Sequence, residues 1–242
     1  MYVLNVPVAN LICQIIFDNE IYFGWFYKSY QSVENKTGNH HLQIISKKES
    51  IKQPKIYITQ KYNRATINLP KRLLSFNYLS FLVETSIAAL VIKQNILFLH
   101  ASSLIINKKV YLFCGDVGAG KSTVRKLGKE YLSLSDDTTV VKRKEERFFV
   151  YPSPFDKNKE ISIGNQKVLL EKIFILKKSD KNYIRDISSV EIIKQLKKNN
   201  LFGVFNPTKI TYNFYKQNLI LAAKIPIQKL YFTKSHDFLK LI

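Results

Sequence analysis

The sequence predicts an α/β protein in which a mixed sheet flanked by helices, over residues 73–242, follows a small β-rich region over residues 1–72. Before Pro70 the apolar residues fall in short alternating runs, as in strands, whereas over residues 73–92 they recur every three or four positions, as in a helix. Further along, an apolar run leads directly into a glycine-rich turn and a second helical pattern. This strand–turn–helix unit is typical of α/β domains. With 46% hydrophobic residues, the chain can bury a sizeable core.

The β-rich region contains three predicted strands, over residues 21–27, 55–62 and 64–69. The polar stretch over residues 31–50 lies between the first two and predicts a loop or an edge strand. It includes His40 and His41, but no Asp or Cys stands near this pair, so a metal site is not expected there.

The second region opens with the helix over residues 73–92, which is predicted to end near Asn95. Strands are predicted over residues 96–100, 103–106, 110–114, 131–135, 138–142, 147–151, 168–176 and 229–233. Helices are predicted over residues 122–130, 188–196 and 211–223. No internal repeat or low-complexity linker interrupts this order.

The glycine-rich turn over residues 115–122 carries the strongest chemical signal in the sequence. It matches the pattern G-x-x-x-x-G-K-[ST] in full, through Gly115, Asp116, Val117, Gly118, Ala119, Gly120, Lys121 and Ser122, and Thr123 follows. Glycines let the backbone curl so that successive N–H groups point at phosphate oxygens, and the following helix adds partial positive charge. Lys121 would lie between the β- and γ-phosphates of a nucleoside triphosphate, and the Ser122 hydroxyl would bind Mg2+. Such a loop reads phosphates rather than the base, which leaves ATP, GTP and pyrophosphate open as donors.

Two adjacent carboxylates, Asp136 and Asp137, come 15 and 16 residues after Lys121, at the end of the predicted strand over residues 131–135. If that strand lies beside the strand that precedes the glycine turn, its end comes near the metal. Adjacent residues of a strand point to opposite sides, so one carboxylate can hold Mg2+ and the other can take a proton from an acceptor hydroxyl. The residues alone do not say which does which. A solvated Asp-Asp turn is the alternative interpretation.

His100 ends the predicted strand over residues 96–100. An imidazole at this position could act near the γ-phosphate as a base, a proton relay or an acceptor-binding group. A structural histidine at the end of an apolar strand is the alternative.

Four segments, taken together, resemble the HPr kinase/phosphorylase catalytic domain. They are Leu99-His-Ala-Ser, the hairpin that follows it, the Gly-Asp-Val-Gly-Ala-Gly-Lys-Ser turn and Leu134-Ser-Asp-Asp. The sequence is more similar still to small HPr-kinase-like proteins that accompany biosynthetic clusters for ribosomally made, modified peptides such as lasso peptides. These share the His-Ala-Ser form, a proline-rich loop like residues 151–155, and a tail like residues 225–232. The similarity covers residues 73–242 and is strongest over residues 97–156.

The resemblance implies a P-loop fold of the phosphoenolpyruvate carboxykinase type and ATP- and Mg2+-dependent phosphorylation of a hydroxyl, classically that of serine. It assigns Lys121 and Ser122 to the phosphates and Mg2+, His100 to the family's histidine, and one of Asp136 and Asp137 to the acid/base, with the other supporting the metal. Thr123 departs from the pattern, since these kinases usually have Glu there. The glycine- and arginine-containing signature of the bifunctional enzymes is also missing, so phosphorolysis, HPr as substrate and a hexamer are not implied.

The charge balance bears on the partners. With 38 Lys and Arg against 18 Asp and Glu, the net charge is +20, and such a surface attracts polyanions. The basic residues are scattered, however, and no nucleic-acid-binding signature appears, so nucleic acid is not the expected partner. Lys157 and Lys159 could contact phosphates or an acidic substrate, or be simply solvated. The expected partner is a peptide, a protein or a small molecule that offers a hydroxyl, and the oligomeric state stays open.

The chain is expected to be cytoplasmic and not to bind a membrane. Residues 1–17 lack a basic segment and are broken by Asn5, Pro7 and Asn10, unlike a secretory signal. The apolar stretch over residues 81–92 contains Glu84 and is too short to span a bilayer. Two distant cysteines make no disulfide framework and no metal-ligand pattern.

The sequence therefore predicts a kinase that moves the γ-phosphate of ATP to a hydroxyl. Two alternatives stay open: a nucleotide-gated peptide-binding module without phosphotransfer, whose β-rich region would be the docking edge, and a nucleic-acid-associated NTPase.

Overall fold

A computed structural model describes residues 1–34, 38–46, 53–59, 61, 63–70, 74–156, 167–200 and 208–242. The protein is α/β, with two mixed sheets and flanking helices. It divides into two compact units, of which unit 1 comprises residues 1–94 and 154–157 and unit 2 comprises residues 95–153 and 158–242. The predicted boundary between residues 72 and 73 lies outside the described residues, as do Lys157 and Lys159. The helix that follows this boundary belongs to unit 1.

In the residues that the structure describes, unit 1 is built on a five-stranded sheet with two helices. Its strands are β1 (Tyr2–Val8), β2 (Leu11–Phe17), β3 (His40–Ser46), β4 (Lys55–Ile58) and β5 (Arg64–Leu69), in the order β1-β2-β3-β5-β4. β3 is parallel to both of its neighbours, and the two outer pairs are antiparallel. Its helices are α1 (Glu20–Ser29) and α2 (Phe76–Val91).

The prediction of a strand over residues 21–27 is wrong, because these residues form α1. The Asn19 side chain caps the helix by accepting hydrogen bonds from the backbone N–H groups of Ile21 and Tyr22. Tyr22 and Phe26, four residues apart, are the side chains that α1 buries. Aromatic residues favour strands on average, but here the cap and the helical spacing of the buried rings decide the structure.

The prediction of a loop or edge strand over residues 31–50 is wrong for residues 40–46, since these form β3, the central strand of the sheet. Residues 35–37 and 47–50 of this range lie outside the described residues. Leu42 and Ile44 point into the core and are fully buried, whereas the residues that alternate with them, His41, Gln43 and Ile45, are half-buried. His40 is buried as well, and this burial lowers the pKa of its imidazole. Only partners distant in sequence make the segment a central strand.

The predicted helix of the second region is confirmed, with shifted ends. α2 begins at Phe76, where the Ser75 hydroxyl accepts the N–H of Tyr78, and a short 3-10 turn, Ile92–Gln94, follows it. Within the described residues, the combined segment Phe76–Gln94 alone is long and apolar enough to cross a membrane, and it extends the apolar stretch over residues 81–92, which by itself is too short. Most of it is buried inside the protein, as in the core helix of a soluble protein, which makes it weak evidence for a span.

Unit 2 is built on a seven-stranded sheet with β7 at its centre. Its strands are β6 (Ile96–Ile106), β7 (Lys109–Cys114), β8 (Thr138–Lys144), β9 (Arg147–Tyr151), β10 (Val168–Lys178), β11 (Tyr183–Asp186) and β12 (Ile227–Phe232), in the order β11-β12-β10-β7-β6-β8-β9. β10 is parallel to β7 and β12, and the other adjacent pairs are antiparallel. The helices are α3 (Lys121–Leu127), α4 (Ser189–Asn199) and α5 (Thr208–Lys224).

Two strand predictions in unit 2 are corrected. The two strands predicted over residues 96–106 are one continuous strand, β6, whose Ala101 and Ser102 keep pairing with β7. Residues 131–135 form no strand; this segment lies along β6, with one isolated bridge between Leu132 and Ile105. Ser103 holds it in place, because its hydroxyl accepts the N–H groups of Leu134 and Ser135. The acidic pair therefore precedes β8 rather than ending a strand.

An aromatic cluster fixes the central strands to the elements around them. The rings of Phe113 on β7 and Phe174 on β10 stack with centroids 5.7 Å apart, and Phe238 of the C-terminal 3-10 helix His236–Leu241 meets Phe113 edge-on. Phe232, the last residue of β12, packs on Phe238 from the side. All four rings are nearly or fully buried, so the ends of β7, β10 and β12 are held in fixed relation.

Candidate active site

The predicted phosphate loop connects the end of β7 to the start of α3. Gly118 and Gly120 have φ angles of 78° and 111°, in the range that side chains rarely adopt. A Cβ at Gly120 would also lie 2.5 Å from Cζ of Phe232, so only glycine fits against this ring. The backbone of the loop thus requires glycine at residue 120, which the sequence pattern specifies, and at residue 118, which the pattern leaves open.

Lys121 is the buried cation of this loop. Its side chain is almost fully covered, and its ammonium donates hydrogen bonds to the carbonyl oxygens of Gly115, at 2.8 Å, and Asp116, at 3.3 Å. Burial lowers the pKa of Lys121, and the negative charge of Asp137 opposes that shift. The ammonium therefore lies where the loop carbonyls and the Asp137 carboxylate both act on it.

Asp137 and His100 form a pair at the same edge of the sheet. His100 Nδ1 lies 3.1 Å from Asp137 Oδ1. The strand register explains the contact, because Thr138 is opposite His100 across β8 and β6, while Ala101 is opposite Cys114 across β6 and β7. β8 thus begins at the level where β7 ends. The backbone N–H of Ala101 also donates to the Asp137 carbonyl at 2.9 Å and fixes the turn.

Asp136 has a different partner. Its carboxylate accepts a hydrogen bond from Nε of Arg125 on α3 at 3.0 Å. The two neighbouring carboxylates therefore contact different groups, Asp137 the imidazole of His100 and Asp136 the guanidinium of Arg125. A carboxylate bound to a guanidinium is already neutralised, which makes Asp137 the better candidate for chemistry at the loop.

The end of α4 contacts the loop through residues that no sequence motif indicated. The Asn199 side chain accepts the backbone N–H of Gly115 at 3.0 Å, and Lys198 forms an ion pair with Asp116 at 2.6 Å. The Lys198 hydrogen bond lowers the pKa of the Asp116 carboxyl. Asn200 continues the contact by a backbone bridge to Leu99. Because these partners lie more than 80 residues from the loop, local pattern could not have found them.

Three further predicted site residues lie in or next to the loop, and no contact of their side chains assigns them a role. Ser122 is exposed at the first turn of α3, and Thr123 is half-buried and lines a neighbouring cleft. Val117 is almost fully exposed at the tip of the loop. Cys114, by contrast, is fully buried, and burial raises the pKa of its thiol to about 12, so it offers no nucleophile.

The side chains around the loop suit Mg2+ better than a transition metal. In the part of the chain that the structure describes, no group of three or more His, Cys, Asp and Glu side chains could hold an ion. Mg2+ needs no such cage, because it retains water ligands and takes only one or two protein oxygens together with substrate phosphates. The Ser122 hydroxyl and the Asp137 carboxylate are oxygen donors of the required type, whereas Asp136 is held by Arg125.

Comparisons with known proteins add little to this geometry. No protein-family profile matches the chain, and no curated protein matches it. A solved structure, the HPr(Ser) kinase/phosphatase from Coxiella burnetii, matches at 16% identity over 60% of this chain and 90% of its own, with a TM-score of 0.32. At so low a TM-score the match carries no conclusion about fold or activity.

Proposed function

We propose that this protein is an ATP- and Mg2+-dependent kinase that transfers the γ-phosphate to a hydroxyl, that of serine in a peptide or protein. One observation supports the proposal above all others. The glycine loop, the buried Lys121 ammonium and the Asp137–His100 pair lie together at the end of β7. Cation, loop amides and a hydrogen-bonded carboxylate are the groups that phosphoryl transfer requires.

In the proposed reaction, Lys121 binds the β- and γ-phosphates and balances the charge that develops between them. Asp137 takes the proton of the acceptor hydroxyl, whose oxygen then forms a bond to the γ-phosphorus while the bond to the bridging oxygen breaks and ADP leaves. His100 holds the Asp137 carboxylate in place through the 3.1 Å contact. Mg2+ bound through Ser122 would neutralise phosphate charge. Asp136 takes no direct part in the transfer and instead holds Arg125 of α3 through their ion pair.

The acceptor is proposed from the sequence resemblance rather than from the site. A serine of a ribosomally made, modified peptide is the first substrate to test, followed by other proteins and by small molecules with a hydroxyl. Candidate peptides are incubated with ATP and Mg2+ and analysed by mass spectrometry for the gain of one phosphate group.

A set of isosteric variants tests the assignment of roles. Asp137→Asn removes the proposed proton acceptor, and we expect transfer to fall by about 100- to 10,000-fold, the usual range for a general base. Asp136→Asn, which leaves that acceptor intact, is expected to retain measurable transfer. Asp186→Asn is the matched control, because this exposed carboxylate lies on β11 at the edge of the sheet.

The same assay separates the proposal from the alternatives. Equal activity of Asp137→Asn and the Asp186→Asn control would refute the proposed chemistry. Binding of Mg2+–ATP together with ATP-dependent capture of the peptide, and no phosphate gain in any candidate, would favour the nucleotide-gated binding module.

A further inference from the structure

A cleft of about 590 Å3 opens beside the phosphate loop in unit 2. One wall comes from the loop and α3, through Gly120 and Thr123. The others come from the end of β10 and the turn that follows it, at residues 178–180, and from the end of β12, at residues 232–234. Small-molecule sites have volumes of roughly 300 to 1,000 Å3, so the cleft is large enough for a ligand of nucleoside size.

The cleft is continuous with the loop. The Phe232 ring lines the cleft and lies directly against the backbone of Gly120, the residue before Lys121. This approach is possible only because residue 120 lacks a Cβ. A ligand in the cleft would therefore lie next to phosphates bound by the loop and Lys121.

The strand order places the cleft and the reacting groups on opposite flanks of the loop. β7 leads into the loop. On one side of β7 lie β6, which carries His100, and β8, which begins directly after Asp137. β10 and β12, on the other side, carry the residues of the cleft. A polyphosphate chain bound along the loop would have its reacting end at Asp137 and its other end at the cleft.

We infer that this cleft binds the nucleoside of the phosphate donor, so that the substrate is a nucleoside triphosphate and not pyrophosphate or inorganic polyphosphate. The inference rests on the proposed phosphotransfer at Lys121 and Asp137. It deepens that function, because the glycine loop by itself reads only phosphates.

The lining offers an aromatic ring and several hydrogen-bonding groups, which suit a nucleoside. Phe232 is held rigidly by Phe238 and contributes apolar surface, while Ser179 and Thr233 contribute hydroxyls. Asp180 contributes a carboxylate that can accept hydrogen bonds from ribose hydroxyls or base amino groups, and Lys234 contributes a second cation beside Lys178. Lys178 is exposed and can contact phosphate oxygens next to the nucleoside.

Calorimetric titration with two probes, Mg2+–ATP and Mg2+–tripolyphosphate, tests the inference on the full chain. Both carry three linked phosphates, and only the first carries a nucleoside. We expect the wild type to bind Mg2+–ATP at least about tenfold more tightly, which corresponds to about 1.4 kcal/mol of nucleoside contacts. Ser179→Trp, which fills the cleft, should remove most of this difference and leave the tripolyphosphate affinity unchanged.

A pair of lysine variants keeps the charge change constant. Lys178→Ala and Lys181→Ala each remove one cation from the turn between β10 and β11, but only Lys178 lines the cleft. Lys178→Ala should weaken Mg2+–ATP binding more than Lys181→Ala does, and the direction of this difference does not depend on how well Ser179→Trp folds.

Each outcome bears on a different claim. Equal affinity of the wild type for the two probes, or unchanged ATP affinity in both Ser179→Trp and Lys178→Ala, would overturn the nucleoside site and leave the phosphate site standing. Failure of the wild type to bind either probe would contradict the proposed function itself, and the inference with it.

Discussion

At the scale of single residues, the loop depends on glycine for two separable reasons. Gly118 needs its positive φ angle alone, since a Cβ there would meet no atom within 4 Å. Gly120 needs both its positive φ angle and the space that the Phe232 ring leaves. Comparison of the two positions therefore separates backbone strain from steric overlap.

We predict that Gly120→Ala destabilises the protein more than Gly118→Ala. Backbone strain of this kind costs roughly 1 to 3 kcal/mol, and overlap with a buried ring adds roughly a further 1 to 3 kcal/mol at residue 120. Urea unfolding of the two variants and the wild type measures the difference in free energy. Equal destabilisation of both variants would show that the Phe232 ring yields to a methyl group.

The two cysteines give a second prediction at the residue scale. Cys13 and Cys114 are both fully buried, and burial raises the pKa of each thiol to about 12. At pH 8 the reactive thiolate is then a negligible fraction, and reagents cannot reach the sulfur atoms. A thiol-reactive chromophore should label neither cysteine in the folded protein and both in denaturant. Prompt labelling of either one without denaturant would contradict the described burial.

At the scale of elements, the end of α4 is the support of the phosphate loop. Lys198 and Asn199 contact the first two residues of the loop, and Asn200 bridges to β6. Asn199 itself is held because its amide nitrogen donates to the Gln195 carbonyl one turn earlier on the same helix. The helix thus fixes the side-chain oxygen that the Gly115 N–H requires.

We predict that Asn199→Ala weakens Mg2+–ATP binding by about 3- to 10-fold. The variant leaves the buried N–H of Gly115 without its acceptor. A lost hydrogen bond of this kind costs about 0.5 to 1.5 kcal/mol, and the free energy of binding falls because the ligand must then order the loop. Calorimetric titration measures the affinity. Gln195→Ala is the control, since it removes an amide from the same helix without touching the loop. A similar loss in both variants would indicate a general effect on α4 rather than support of Gly115.

At the scale of the whole molecule, the dominant property is the net charge of +20. Ion pairs such as Lys109–Glu171 and Lys224–Glu146 engage some of the cations, but 18 acidic residues cannot neutralise 38 basic ones. A surface of this kind binds polyanions through counterion release, without regard to their sequence.

We therefore predict that single-stranded nucleic acid binds weakly, and that this binding falls steeply as salt rises from 50 to 200 mM, by roughly 10-fold or more. Filter binding with two unrelated oligonucleotides at both salt concentrations measures the effect. Tight binding that survives the higher salt and discriminates between the oligonucleotides would instead support the nucleic-acid-associated NTPase.

The sequence anticipated the elements of unit 2 better than those of unit 1, for a local reason. β7, the glycine turn and α3 follow one another along the chain, so composition and spacing specify them together. In unit 1 the aromatic residues of α1 have strand propensity, and the polar stretch that contains β3 looks like a surface segment. Their structures depend on a helix cap and on strand partners elsewhere in the chain.

By itself the sequence determined the α/β class, the glycine loop with Lys121, and the residue types of the candidate site, because these depend on side-chain chemistry and on neighbours within a few positions. Only the tertiary structure decided that Asp137 contacts His100 while Asp136 contacts Arg125, that the end of α4 supports the loop, and that a cleft adjoins Gly120. The reason is physical: strand register and packing between residues far apart in sequence set the direction of each side chain, and no local pattern encodes that direction.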